Sequence, residues 1–260
     1  MATTALSVNV STTCSFVLLE PSDSPTSEQQ THAPGGAGSG DGMAKTDEAV
    51  LEALLDRYGR TYAGEAGIKL ADRPKPLYEL LVLATLLSAR ISADVAVAAA
   101  KELFAAGYGT PKGMCEASWQ DRVDALGRGH YRRYDERTAT MLGDGAELLL
   151  DRWKGDLRRL RDEAGGDERR IGELLTEFPG IGPTGADIFL REVQAVWPQV
   201  APHLDRRVLD GAGKLGLPRQ AGPLAELAGS GGELARLSAA LVRVARSKKS
   251  VDEVKAAAAR

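Results

Sequence analysis

The stretch Leu174-Leu175-Thr176-Glu177-Phe178-Pro179-Gly180-Ile181-Gly182-Pro183-Thr184-Gly185-Ala186-Asp187-Ile188 decides how the rest of the chain is read. Ile171, Leu174, Leu175 and Phe178 follow the i, i+3, i+4, i+7 spacing of a short amphipathic helix. Pro179 and Gly180 break it. Pro183 suits the first position of a second helix reaching about Val193, where a missing N–H costs nothing. Gly180 and Gly182 are expected to take backbone angles that a side chain would forbid, with Ile181 turned back into the core. Free amides at 182–185 would then point outward at the positive end of a helix, which can hold a phosphate oxygen without any charged side chain.

Working outward, the pattern stays helical. Val50, Leu51, Leu54, Leu55 and Tyr58 form an apolar face that Gly59 closes, and residues 77–88 are apolar nearly all round, which belongs at a core's centre. Helices are predicted at 95–106 with Asp94 as a cap, at 119–126, at Asp135–Trp153, and from about Asp205 to Leu215. Asp167 is a candidate cap for the helix before the hairpin, and further helices are predicted at 224–227 and 233–246. Aromatics make up only 5% of the chain and alternating β-branched runs are nearly absent, so the expected class is all-α. Residues 1–44 are Ser/Thr/Pro/Gly-rich and read as a disordered tail, residues 45–246 as the folded domain, and 247–260 as a frayed tail.

No apolar run approaches the roughly 20 residues of a membrane span, so a soluble protein with no membrane partner is expected. Cys14 and Cys115 are far apart and stand at no metal-ligand spacing, which suits a reducing compartment. The net charge of −3 is unpromising for a nucleic-acid binder. However, four of the 36 acidic residues precede Lys45, while all 33 basic residues lie at or beyond it. The folded part is therefore close to neutral, and a clustered basic face matters more than the total.

The hairpin Phe178-Pro179-Gly180-Ile181-Gly182, the loop Trp197-Pro198-Gln199-Val200-Ala201-Pro202-His203 and Asp205 follow one another in order. Upstream lie Leu86-Leu87-Ser88-Ala89-Arg90 and Gly129-His130-Tyr131. Together these segments resemble the endonuclease III superfamily of helix-hairpin-helix (HhH-GPD) DNA glycosylases, over roughly residues 48–217. The resemblance implies a two-lobed helical fold with a DNA-binding groove between the lobes. The implied activity is base-excision repair, in which the N-glycosidic bond of a damaged or mispaired base is broken. Double-stranded DNA carrying that base is the implied partner, for a monomeric cytoplasmic protein associated with the nucleoid.

Base excision develops oxocarbenium character at C1′, which a carboxylate stabilises while orienting water. The target nucleotide must also leave the stack. The resemblance assigns the carboxylate to Asp205; a plain helix N-cap is the alternative role. Family members that also cut the strand carry a lysine where this chain has Thr184, so the expected enzyme is monofunctional, leaving Lys154 and Lys214 as amines with no assigned place. The iron–sulfur members end in four cysteines, whereas residues 218–260 contain none, so no cluster is expected.

Backbone at Gly180, Ile181, Gly182, Thr184 and Gly185 is the expected phosphate contact, with Arg206 and Arg207 as further contacts or plain surface charges. Arg90 stands where the family's Gln enters the gap left by the extruded nucleotide; a surface role beside Asp94 is the alternative. Tyr131 is the nominated base-pocket aromatic. Carbonyls of Thr176, Phe178 and Ile181 match the positions where the family holds a monovalent cation. A non-catalytic DNA-binding module and a lyase using an unplaced lysine remain as competing functions.

Overall fold

The computed structural model describes residues 40–259, with side chains from Thr46 onward. Among the described residues it is all-α: α1 (Gly40–Tyr58), α2 (Tyr62–Glu65), α3 (Pro74–Ser88), α4 (Ala93–Ala105), α5 (Pro111–Glu116), α6 (Trp119–Arg128), α7 (Asp135–Trp153), α8 (Leu157–Glu163), α9 (Glu168–Leu175), α10 (Pro183–Val193), a 3₁₀ turn (Pro198–Val200), α11 (Arg206–Leu215), α12 (Ala221–Ala228), α13 (Gly231–Ala245) and α14 (Lys248–Ala258). No helix is long and apolar enough to cross a membrane.

Two hydrophobic cores organise these helices. The larger draws on α2 to α10 and is centred on α3, whose Leu77, Leu80, Leu83 and Leu86 are fully buried. An apolar circumference leaves a helix no solvent face, so it must be surrounded. The smaller core joins Leu54 of α1 to Val208 and Ala212 of α11, Leu224 of α12, Leu237 and Leu241 of α13, and Val254 of α14. The described N-terminal helix thus returns to pack with the last four. Helix α10 touches both assemblies, lying against α3 and α13.

Several boundaries fall where the sequence places them, including α7, α10 and the Asp167 cap, whose carboxylate accepts the Arg170 N–H at 2.7 Å. Ser92, not Asp94, caps α4, because its hydroxyl reaches the Val95 N–H. Two tail assignments need correction. Helix α1 starts at Gly40, so residues 40–44 are helical; the remainder of the predicted tail, with Cys14, lies outside the described residues. The segment after Arg246 is not a frayed end. It forms α14, buries Val251 and Val254 in the smaller core, and accepts a 2.6 Å hydrogen bond from Tyr58 Oη on Glu253. Its Lys- and Ala-rich composition hides a single i, i+3 valine pair.

Val254→Ala should therefore cost about 2 kcal/mol, the transfer and cavity contribution of a buried valine. Urea unfolding measures this directly, and an unchanged midpoint would return the segment to the status of a tail.

Candidate functional site

The hairpin is built largely as its residues demand. Gly180 sits at φ +86°, a left-handed conformation that strains L side chains, and a Cβ there would lie 3.0 Å from Met141 Sδ. Gly182 differs from expectation: at φ −99° it needs no special freedom, and a Cβ would enter open space. Its lack of a side chain instead leaves the hairpin's outer face bare. Ile181 is buried and plugs the hairpin into the larger core. Gly185 is a close-approach position, with a Cβ reaching to 2.5 Å from Ser88 Oγ. The head of α10 is thereby pressed against the end of α3.

Pro183 opens α10, so the N–H groups of Thr184 and Gly185 fall in the first turn, where no intrahelical acceptor exists. Gly182, Pro183 and Thr184 are exposed. The Phe178 carbonyl accepts the Ile181 N–H at 3.0 Å, leaving one lone pair for a cation, and Thr176 is the C-cap of α9.

A cleft of about 1250 Å³ opens beside the hairpin. One wall runs from Leu87 to Ser92 and includes Thr184; the other comes from α11, its following loop and the end of α13. Five cations line it, namely Arg90, Arg207, Lys214, Arg219 and Arg246, against the single carboxylate of Asp210. Asp210 is itself paired with Arg219 at 3.2 Å. Arg90 makes no ion pair with Asp94 and has no ion-pair partner among the described residues. Arg206 does not line the cleft and is almost fully exposed, with Asp210 at 3.9 Å. Lys214 donates to the Ala245 carbonyl in the cleft wall, whereas Lys154 lies at the C-cap of α7, donates to the Asp151 carbonyl and does not line the cleft.

Asp205 is the N-cap of α11. Its Oδ1 accepts the Val208 N–H at 3.0 Å, and its Oδ2 pairs with the guanidinium of Arg191 on α10. The Asp205 side chain is 10% exposed and that of Arg191 8%. The acid heads the helix that carries Arg207 into the cleft but does not itself line the cleft wall. Sequence reasoning found the cap and missed its partner.

Two residues earlier, His203 is buried between two acids. Its Nδ1 lies 2.5 Å from Glu168 Oε1, and its Nε2 lies 3.6 Å from Asp187 Oδ1, an ion-pair distance too long for a hydrogen bond. Burial disfavours the charged ring, but the two carboxylates outweigh it and raise the pKa above its ordinary 6.5. The His203 backbone is held as well, its N–H donating to Gln194 Oε1 at 3.0 Å while its carbonyl accepts from Gln194 Nε2 at 3.3 Å.

Tyr131 is not a pocket residue. It is fully buried in the larger core, with its oxygen 3.5 Å from Thr138 Oγ1. The cause is local: His130 takes φ +63°, and the Tyr131 N–H bonds back to the Leu126 carbonyl. This helix-ending motif turns the next large side chain inward against its own helix. Two tryptophans are likewise committed elsewhere: Trp197 is sealed with its Nε1 donating to Asp72, and exposed Trp119 donates to Thr140.

No protein-family model matches the chain, and no curated protein matches its sequence. Among solved structures, it is similar to that of a trapped endonuclease III–DNA covalent intermediate in an estranged-adenine complex. That match has a TM-score of 0.42 and 18% identity, covering 75% of this chain and 84% of the other.

The histidine clamp gives a signed pH dependence. A pKa raised by folding adds stability that is complete below pH 6.5 and is lost as pH rises through the folded value. His203→Gln should remove this part of the slope, so that the stability gap between wild type and variant narrows on going from about pH 6 to pH 9. A gap independent of pH in urea unfolding would show that the ring is not charged in the fold.

Proposed function

We propose that this protein is a base-excision DNA glycosylase of the helix-hairpin-helix class. It would bind duplex DNA in the basic cleft and hydrolyse the N-glycosidic bond of a damaged or mispaired base without cutting the strand. The observation that carries this reading is the sharing of one cleft by the exposed head of the hairpin helix, at Thr184, and the first turn of the helix that Asp205 heads, at Arg207.

Each part has a role. The exposed helix end at 182–184, with the N–H groups of Gly182 and Thr184, takes one phosphate through backbone dipoles. Arg207, Lys214, Arg219 and Arg246 neutralise others from the facing wall, and Arg90 stands where it can fill the space of an extruded nucleotide. Asp205, at the head of α11, supplies the negative charge that stabilises the developing oxocarbenium ion. Thr184 offers a hydroxyl where an amine would be needed to attack C1′, so the product is an intact abasic strand.

A specific observation favours a second reading, a DNA-binding module without chemistry. Both oxygens of Asp205 are already engaged, one by Val208 and one by Arg191, and little of the side chain meets solvent. On that reading the residue only caps and staples.

One experiment separates them. Purified protein is incubated with duplexes each bearing a single alkylated, deaminated, oxidised or mispaired base, then treated with alkali. Breaks appearing only after alkali are expected, and Asp205→Asn should abolish them while leaving DNA affinity within a few-fold. Tight binding with no break across the panel would establish the module instead, and a borohydride-trapped adduct would overturn hydrolysis in favour of a lyase.

The cleft is tested independently of chemistry. Arg207→Ala should weaken binding to any duplex about equally and reduce the slope of log affinity against log salt by about one. An unchanged slope would place DNA on another surface.

A further inference from the structure

Helix α10 and its C-cap present Asp187, Arg191 and Gln194 at i, i+4 and i+7, a single stripe along one side of the helix. All three reach the same short segment. Asp187 faces the His203 ring, Gln194 grips the His203 N–H and carbonyl, and Arg191 holds the Asp205 carboxylate. Gln194 is 1% exposed and is anchored in turn on the Arg191 carbonyl and on Ser238 Oγ of α13. None of these three side chains lines the cleft. Arg191 and Gln194, the two buried members of the stripe, find their partners in a single register of 203–205 against α10.

We propose that Arg191 is the positioning residue for Asp205, fixing the direction of its carboxylate relative to the hairpin, with Gln194 setting the register of the segment. The inference rests on the glycosylase reading for its consequence in catalysis but not for its structural content. The same helix carries the phosphate-binding head at Thr184 and, two turns on, the guanidinium that orients the acid. Phosphate grip and carboxylate direction are thus set by one rigid body. A flexible arginine on a loop would not couple them. The neutral alternative, an arginine that merely fills space in the interface, does not require a donor aimed at Oδ2 while Oδ1 caps the helix.

The Val208 amide reads the pose of Asp205 directly, because its N–H is donated to Oδ1. In Arg191→Met, hydrogen exchange at Val208 should accelerate by about tenfold or more beyond the change shown by the amides of Leu83 and Leu237, one in each core, which follow global stability. Arg191→Lys, which restores a charge at the same place, should recover most of the Val208 protection. Against the lesion duplex found in the panel above, Arg191→Met should lower kcat about a hundredfold with KM within about threefold, as a misdirected catalytic group does. Arg191→Lys should recover part of that loss. Should Arg191→Met fail to fold, Arg191→Gln, which keeps a donor without the charge, carries the same expectations.

Unchanged exchange at Val208, or equal loss of protection at all three amides, would overturn the proposal, the first by showing Asp205 oriented without Arg191 and the second by reducing Arg191 to general stability. If wild-type protein releases no base from any duplex while Val208 responds as stated, the positioning of Asp205 stands and the glycosylase reading alone falls.

Discussion

The pairing of Arg191 with Asp205 is the constraint around which the rest is arranged. Both side chains are about nine-tenths buried, one on the helix that begins at the hairpin and the other at the head of the helix that forms the cleft's far wall. A buried ion pair adds little net stability when set against an apolar substitute, but removing one partner strands a charge and costs about 3–5 kcal/mol. Such a pair therefore acts as a specification of geometry. It allows α10 and α11 few arrangements other than the one that leaves Thr184 and Arg207 on a common cleft.

Helix α10 bears this load through more than one residue. Glu192, fully enclosed, accepts the N–H groups of Tyr62 and Ala63 and so caps α2, and burial raises its pKa. Gln194 ties the same helix to the segment before Asp205 and to α13. Arg191, Glu192 and the C-cap Gln194, at one end of a single helix, thus reach the cap of α11, the start of α2 and α13. Its apolar residues Ile188, Phe189 and Leu190 meanwhile belong to the larger core. The helix that offers its amides to solvent at one end is immobilised by nearly everything beyond its first turn.

The parts of this arrangement that were legible in sequence are those whose cause is local. Pro183 and Gly180 declare the hairpin because each restricts or permits a dihedral angle by itself, and Asp205 declares a cap because the residue and the helix it caps are adjacent. What stayed hidden has causes spread along the chain. Arg191 looks like an ordinary basic residue in a helix's last turn, and only folding delivers a carboxylate from fourteen residues away. The cations Arg90, Lys214, Arg219 and Arg246 are scattered over more than half the described chain and form no run. Tyr131 misled because its neighbours determine its direction: an aromatic after a Gly-His pair signals a base platform or a helix stop equally well, and the left-handed His130 selects the stop.

Charge sorting lets a chain with a net charge of −3 line a cleft mainly with cations. Many of its acids are spent on arginines away from the cleft, as in Glu163 and Glu177 with Arg152, Asp72 with Arg161, and Glu65 with Arg243. The cleft retains five cations and one paired acid. Those cations divide unequally between the walls, with Arg90 beside the hairpin and the other four opposite. The wall with a single arginine is the one that supplies free backbone amides, whose dipoles do not depend on side-chain charge and cost less to desolvate than a charged group. A strand lying in the cleft would then meet fixed dipoles on one side and mobile, salt-screened charges on the other. On the proposed reading, precise placement would fall to the dipoles and long-range attraction to the charges. Because those dipoles sit on α10, which also pairs with Asp205, the proposed reading would have the wall that places the strand also aim the acid.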